Sequence, residues 1–178
     1  APIDNLDAGI QTFTILKRGN PFACNVCVRK KNEDLINFLN DRKYSGMEDW
    51  LFLFCNTWSQ DLLLSEKTTV RMHEHPNRSM RFNQTIIEKR KLATEYILQN
   101  FSLTKTERKK IEGYTFYFCA IHSYLDNKKS ETLAYTREAI AKLGLRKDLL
   151  AILFKLLFGR KIVGKIKEIV SHRKSTIE

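Results

Sequence analysis

The chain has 178 residues, of which 43% are hydrophobic and 11% aromatic, with only 7 glycines and 3 prolines. These proportions suit a folded domain built mostly from helices and exclude a chain that is disordered throughout. The 31 Lys and Arg residues against 20 Asp and Glu give a formal charge of +11, which favours an anionic partner: nucleic acid, phospholipid headgroups or a phosphorylated substrate.

The first predicted element is a strand over 21–29, which carries two of the four cysteines, Cys24 and Cys27. Their C-x-x-C spacing invites a zinc or redox interpretation, but residues three apart on a strand point to opposite faces and no second pair follows. Buried structural thiols are therefore favoured, with a metal or redox site as the alternative. Reduced thiols, no signal peptide and no apolar run near the ~20 residues that span a bilayer predict a cytoplasmic protein.

Short helices and a second strand are predicted next. A helix over 32–44 leads to a loop at Ser45–Gly46. Another helix is expected from Met47 to about Trp58, because large apolar side chains recur there at helical spacing. Residues 67–75 then alternate in polarity like a strand.

Only helices are predicted after residue 83. The helix that begins near Thr104 has Glu107 in capping-box spacing. A later apolar helix, 148–158, can end at Gly159. The expected helices cover 85–101, 104–125, about 130–143 and 148–158.

The predicted fold class is therefore α/β with a predominantly helical C-terminal tail. We expect few strands and about five to seven helices. The change in pattern divides the chain into a mixed part, residues 1–82, and a helical extension, residues 83–178.

Two adjacent carboxylates, Glu48 and Asp49, stand directly before the aromatic run that starts at Trp50. If a helix begins near Met47, both lie in its first turn, where unpaired backbone N–H groups and the helix dipole stabilise negative charge. Capping alone would explain them, since acidic residues are common in first turns. Their contact with apolar surface leaves a chemical role as the alternative.

Three stretches add a further observation: "GNPFACNVCVRK", "YSGMEDWLF" and "VRMHEHPNRSM", in this order and spacing. Together they resemble the second half of a family 2 glycosyltransferase of the GT-A fold. The resemblance covers residues 19 to about 82, and more loosely the helical tail. It implies that the mixed part of the chain is the acceptor-side part of a GT-A catalytic domain, hence a partial GT-A-type fold.

The resemblance also implies roles for the residues around the carboxylates. Asp49 matches the general base of inverting members, which takes a proton from the acceptor hydroxyl as that hydroxyl attacks the anomeric carbon. Glu48 would position the acceptor or tune its neighbour. Trp50 would form a wall of the acceptor site; a purely structural role in the core is the equally favoured alternative.

The donor side of the resemblance involves the "HPNRSM" stretch. His75 would ligate a divalent cation (Mn or Mg) or contact the diphosphate, with Arg78 and Ser79 as diphosphate partners. A register shift of two residues would give that role to His73 instead, and both remain open. Arg71 is an anion contact or simply the solvent side of the strand.

The family's nucleotide-binding half is not represented in this sequence, which has no Asp-x-Asp motif and no glycine-rich phosphate loop. The resemblance therefore implies an acceptor-side, C-terminal portion, inactive by itself and with no cation bound. The intact enzyme would take a nucleotide-sugar donor and a glycan or lipid-linked acceptor, in the manner of bacterial polysaccharide biosynthesis.

The basic end, residues 146–174, holds nine Lys and Arg against Asp148 and Glu168. Apolar residues recur at helical spacing over 160–170, which is typical of a helix lying on anionic lipid. This predicts peripheral contact with the inner face of the membrane; packing of the same apolar face on the domain is the alternative.

Two other functions fit the charge. A helical nucleic-acid-binding module is the first, but no helix-turn-helix, zinc-finger or RNA-binding motif accompanies the basic residues, so no nucleic acid is expected. The second is a membrane adaptor without catalysis, in which Glu48 and Asp49 only cap a helix.

Overall fold

The structure is a computed structural model that describes residues 33–58 and 83–159. A 3₁₀ helix, Arg42–Tyr44, precedes five α-helices in these ranges. In chain order they are α1 (Glu48–Thr57), α2 (Asn83–Asn100), α3 (Lys105–Leu125), α4 (Lys129–Leu143) and α5 (147–159).

The predicted α/β class, and with it the partial GT-A-type fold, is wrong. Every regular element within residues 33–58 and 83–159 is a helix, and these ranges contain no strand. The sheet was inferred from short apolar or alternating runs, which do not determine a strand by themselves. Those two runs, 21–29 and 67–75, lie outside the described residues. The division at residue 82 stays a prediction.

The predicted helix ends after residue 83 are confirmed where local chemistry sets them. Thr104 Oγ1 accepts a hydrogen bond from the backbone N–H of Glu107 (3.2 Å), and the Glu107 carboxylate accepts one from the N–H of Thr104 (2.7 Å). This capping box satisfies backbone donors that the first turn of α3 would otherwise leave unpaired. Asn127 turns the chain with a φ of 61°, and the short connection makes α3 and α4 an antiparallel hairpin.

The helix predicted over 32–44 is wrong for most of its length, because residues 35–41 have no regular structure. The Asn56 side chain explains this: its amide accepts from the N–H of Ile36 and donates to the Ile36 carbonyl, both at 2.9 Å. A side chain distant in sequence thus satisfies the backbone groups that a helix would have paired. Only Arg42–Tyr44 is helical, started by the Asp41 carboxylate accepting from the N–H of Lys43.

Helix α1 is the centre of the hydrophobic core. The prediction of its bounds is confirmed, but not the single apolar stripe, since every residue from Trp50 to Thr57 is buried. Segment 35–47, α2 and α3 surround it. The buried core residues are Tyr44, Met47, Trp50, Leu51, Phe52, Leu53, Phe54, Ile86, Ala93, Ile97, Ile111 and Tyr114.

The α3–α4 hairpin is packed through small side chains. A Cβ added at Gly113 would lie 2.6 Å from Cγ of Leu143, so glycine is needed for the helices to approach there. Two buried hydroxyls of α4 are satisfied within the helix: Thr132 donates to the carbonyl of Lys128 at 2.8 Å, and Thr136 donates to the carbonyl of Thr132 at 2.7 Å. The C-terminal end of α4 is thereby held against the N-terminal half of α3.

Helix α5 packs on this hairpin by one side only. Leu149 and Ile152 are buried, whereas Leu157 is 83% exposed. None of the helices in the described part of the chain is both long and apolar enough to cross a membrane.

Candidate functional site

The two carboxylates lie where the sequence predicted them, in the first turn of α1. Gly46 precedes them with a φ of +89°, a conformation that side chains with a Cβ rarely adopt. The turn is closed by the N–H of Met47, which donates to the carbonyl of Tyr44 at 2.8 Å. Met47 is the N-cap and its side chain makes no capping hydrogen bond, and Glu48 and Asp49 are the acidic residues of the first turn.

Burial raises the pKa of the Asp49 carboxyl above its ordinary value, and the neighbouring charge of Glu48 raises it further. The helix N-terminus was expected to favour the ionised form, but desolvation by the surrounding apolar residues is the stronger effect here. A raised pKa makes the Asp49 carboxylate a better proton acceptor than an exposed aspartate. Asp49 nevertheless remains half-buried, and so accessible from outside.

Glu48 has one buried oxygen. Within the part of the chain that the structure describes, its Oε2 atom accepts no hydrogen bond. Leaving a buried carboxylate oxygen unsatisfied costs at least about 1–3 kcal/mol, so native proteins rarely keep one without a reason. A hydrogen bond donated by a hydroxyl group of a bound ligand would remove this cost.

Trp50 supports the carboxylates from inside the core. It is 1% exposed, and the guanidinium of Arg90, on α2, lies 3.4 Å above the centre of its ring. Phe118 of α3 lies on the same guanidinium, at 5.0 Å. Burial lowers the pKa of Arg90 to about 9, so the side chain is still charged at neutral pH and stabilised by the two ring faces.

The structure therefore places the Trp50 ring in the core, where it has almost no surface for stacking on a sugar. Its role as an acceptor wall stays a prediction. The indole Nε1 is buried and makes no hydrogen bond to the described residues. Trp50 fixes the orientation of the first turn of α1, since moving its ring would break the contact with Arg90.

The donor-side predictions concern residues outside the described ranges. His75, Arg78, Ser79, His73 and Arg71 all fall in the stretch 59–82, so the predicted cation and diphosphate contacts stay predictions. Within residues 33–58 and 83–159, no group of three or more His, Cys, Asp or Glu side chains is arranged to hold a metal ion.

The described cysteines are buried thiols. Burial raises the pKa of Cys55 and of Cys119 to about 11, so both are protonated at neutral pH and suited neither to nucleophilic attack nor to metal ligation. Cys24 and Cys27 lie outside the described residues.

Two surfaces of the protein were not predicted from its sequence. One is a basic cleft between the N-terminal turns of α3 and the C-terminal end of α4. The lysines between Lys105 and Lys110 could have indicated it. The sequence does not show, however, that the end of α4 forms the opposite wall. The other is the apolar side of α5, which was predicted as a helix without an assigned face. Large apolar side chains of α5 that remain exposed are Leu150, Phe154, Leu157 and Phe158.

Comparison with known proteins adds no constraint: no protein-family model, curated protein or solved structure matches this chain. The functional interpretation therefore depends on the geometry of the residues themselves.

Proposed function

We propose that the chain is the acceptor-side portion of a family 2 glycosyltransferase, with Asp49 as its general base. The observation that carries the proposal is the carboxylate pair at the start of α1. Asp49 is desolvated and half-exposed, and the buried oxygen of Glu48 has no donor within the described residues. Perturbed carboxylates of this kind are enriched in catalytic sites.

The surroundings of α1 supply the rigidity that a general base needs. All of its residues from Trp50 to Thr57 are buried, and Asn56 ties the last turn to the backbone of Ile36. A helix held on every side cannot rotate its first turn away from a substrate. A purely capping pair would have no need of this burial, because capping acids function at the surface.

In the proposed reaction, the acceptor hydroxyl attacks the anomeric carbon of a nucleotide sugar. A carbon–oxygen bond forms while the bond to the diphosphate breaks, and the nucleoside diphosphate leaves with the electron pair. Asp49 takes the hydroxyl proton, and Glu48 accepts a hydrogen bond from a second hydroxyl of the glycan or lipid-linked acceptor. The sequence resemblance proposes His75, Arg78 and Ser79 for the donor side, with a divalent cation in the intact enzyme.

The test is the Asp49→Asn variant of the intact enzyme. Its turnover is measured as the rate at which nucleoside diphosphate is released from nucleotide sugars. The amide keeps the shape of the side chain but cannot take the proton, so turnover should fall by roughly 10²–10⁴. Asp41→Asn makes the same chemical change seven positions before Glu48, on an exposed side chain, and should leave turnover unchanged.

Glu48→Gln distinguishes catalysis from capping. Removing the charge of Glu48 should lower the pKa of Asp49, and the acid limb of the pH–rate profile should move to lower pH by the same amount. Carbon-13 NMR titration of Asp49 in the isolated chain measures the same shift without any activity. Near-normal turnover of the Asp49→Asn variant would show that Asp49 is not the general base and only caps the helix.

The exposed apolar side of α5 favours a second role, attachment to an anionic membrane. Leu157 is 83% exposed, and Phe154 and Phe158 are nearly half exposed, with their ring centroids 4.2 Å apart. The sequence continues from this helix with a lysine-rich stretch, 160–174. Apolar side chains next to basic ones fit the boundary between acyl chains and anionic headgroups, and such contact would bring the enzyme to a lipid-linked acceptor.

A further inference from the structure

A basic cleft of about 460 Å³ lies between the two ends of the α3–α4 hairpin. Lys105, Lys109 and Lys110 line it from the first turns of α3, and Lys142 and Arg146 line it from the end of α4 and the connection that follows. Tyr114 also contributes to its wall. None of the described residues that line this cleft is acidic, and its volume is typical of a small-molecule site.

The far wall of the cleft is held in place by hydrogen bonds. Arg146 is bound through its Nε and Nη2 atoms to the two carboxylate oxygens of Asp148, at 3.2 and 3.3 Å. Its Nη1 atom lies 3.4 Å from the hydroxyl of Tyr114. Because Asp148 binds one edge of the guanidinium, the Arg146 side chain is held in a fixed orientation at the cleft wall. Lys142 is similarly placed by an ion pair with Glu112.

The near wall is electrostatically unfavourable in the absence of an anion. Lys105 and Lys109 are four residues apart on one face of α3, where like charges repel. They also lie at the positive end of the helix dipole, which disfavours cations. Lys105 and Lys109 form no ion pair among the described residues, and the single acid of this turn, Glu107, is used in the capping box. An anion in the cleft would relieve both repulsions.

We propose that this cleft binds the phosphate or diphosphate group of a small ligand. The lysines act as mobile point charges, and the oriented guanidinium donates to phosphate oxygens. This site is separate from the carboxylate pair of α1 and does not depend on the proposed glycosyltransferase activity. The phosphate could belong to a soluble metabolite or to a lipid headgroup, since both present the same oxygens.

The experiment titrates inorganic pyrophosphate into the full chain and follows backbone amides by NMR, at an ionic strength below about 0.1 M so that charges are not screened. Amide shifts should concentrate at 105–110 and 142–146. The double variant Lys105→Gln/Lys109→Gln should bind pyrophosphate at least about tenfold more weakly, because each charge-assisted contact contributes that much. The variant should fold normally, since it removes cations from a helix N-terminus.

Lys129→Gln/Arg137→Gln is the matched control, because it removes the same charge from α4 outside the cleft; its affinity should stay within about twofold of the wild type. Phosphatidylglycerol vesicles identify the source of the phosphate. Loss of vesicle binding in the cleft variant indicates a headgroup, and retained vesicle binding indicates a soluble ligand.

Equal affinities of the cleft variant and its control, or amide shifts away from the cleft, would overturn the proposal. So would a single-stranded oligonucleotide that binds this surface while pyrophosphate does not. That result would make the lysines part of an extended nucleic-acid surface.

Discussion

Helices α1 and α5 are both short and rich in large apolar residues, yet one is enclosed by the protein and the other is not. Every residue of α1 from Trp50 onwards is buried, whereas α5 buries Leu149 and Ile152 and leaves Leu157 mostly exposed. Segment 35–47, α2 and α3 surround α1. The difference teaches that apolar composition predicts a helix but not its burial, which is set by how many elements pack around it.

The two helices also differ in what their exposure implies. The half-buried first turn of α1 carries the carboxylate pair, so the buried apolar residues of this helix hold charged groups in a fixed position. The accessible part of α5 is apolar itself. An exposed apolar face on a basic protein points to a surface contact, whereas a rigid helix that presents carboxylates points to chemistry.

The largest expected effect is on the free energy of unfolding. Leu51 is fully buried in α1, so Leu51→Ala should lower stability by about 2–5 kcal/mol in urea denaturation. Leu157→Ala makes the same deletion on α5 and should change stability by less than about 0.5 kcal/mol. Similar losses in the two variants would mean that α5 is part of the same core, and the contrast between the helices would disappear.

The second prediction concerns membrane contact by α5. Leu157→Gln should lower partitioning onto phosphatidylglycerol vesicles by roughly tenfold, because burying a leucine contributes about 1.5–3 kcal/mol. Leu125→Gln is the control, since Leu125 is similarly apolar and 51% exposed but lies at the end of α3. Raising the salt concentration should weaken binding of both variants and of the wild type.

Unchanged vesicle binding of Leu157→Gln would show that α5 does not contact lipid. If the chain then bound mixed-sequence DNA or RNA with a salt dependence that implies several phosphates, the nucleic-acid alternative would replace the membrane role.

The smallest expected effect is on the pH dependence of the free energy of unfolding. Measuring it tests the packing of α3, which supports α1. His122, on α3, stacks on Phe118 and donates from Nδ1 to Asn83 at 2.7 Å; the Asn83 amide donates in turn to Asp126. Burial lowers the pKa of His122 below 6.5; the charge of Arg90 acts in the same direction, and Asp126 opposes them.

The folded protein therefore binds the His122 proton less tightly than the unfolded chain. Stability should fall as the pH drops below about 6.5 and be independent of this group above it, with a slope of at most ~1.4 kcal/mol per pH unit. His122→Gln should remove that slope in urea denaturation between about pH 5 and 8. The same pH dependence in the variant would assign it to other groups.

Much of the fold could be read from local patterns. The capping box at Thr104 and Glu107, the turn at Gly46 and the first-turn position of Glu48 and Asp49 were all predicted. Each depends on groups within a few residues of one another, so the sequence alone contains the interaction. The fold class could not be obtained in this way: the predicted α/β class is wrong, because short apolar runs are compatible with a strand or with a buried helix segment.

Only the tertiary structure decided which neighbours those elements have. Asn56 removes the helix predicted around Ile36, and the Trp50 ring packs under Arg90 in the core. The basic cleft exists because Gly113 lets the end of α4 approach α3, which brings together lysines that are far apart in the chain. From Met47 onwards, the sequence determined where the described helices begin and end, through short-range hydrogen bonds and spacing. Packing between distant segments determined what each helix buries, exposes and presents to a ligand, because those free energies arise only when the segments meet.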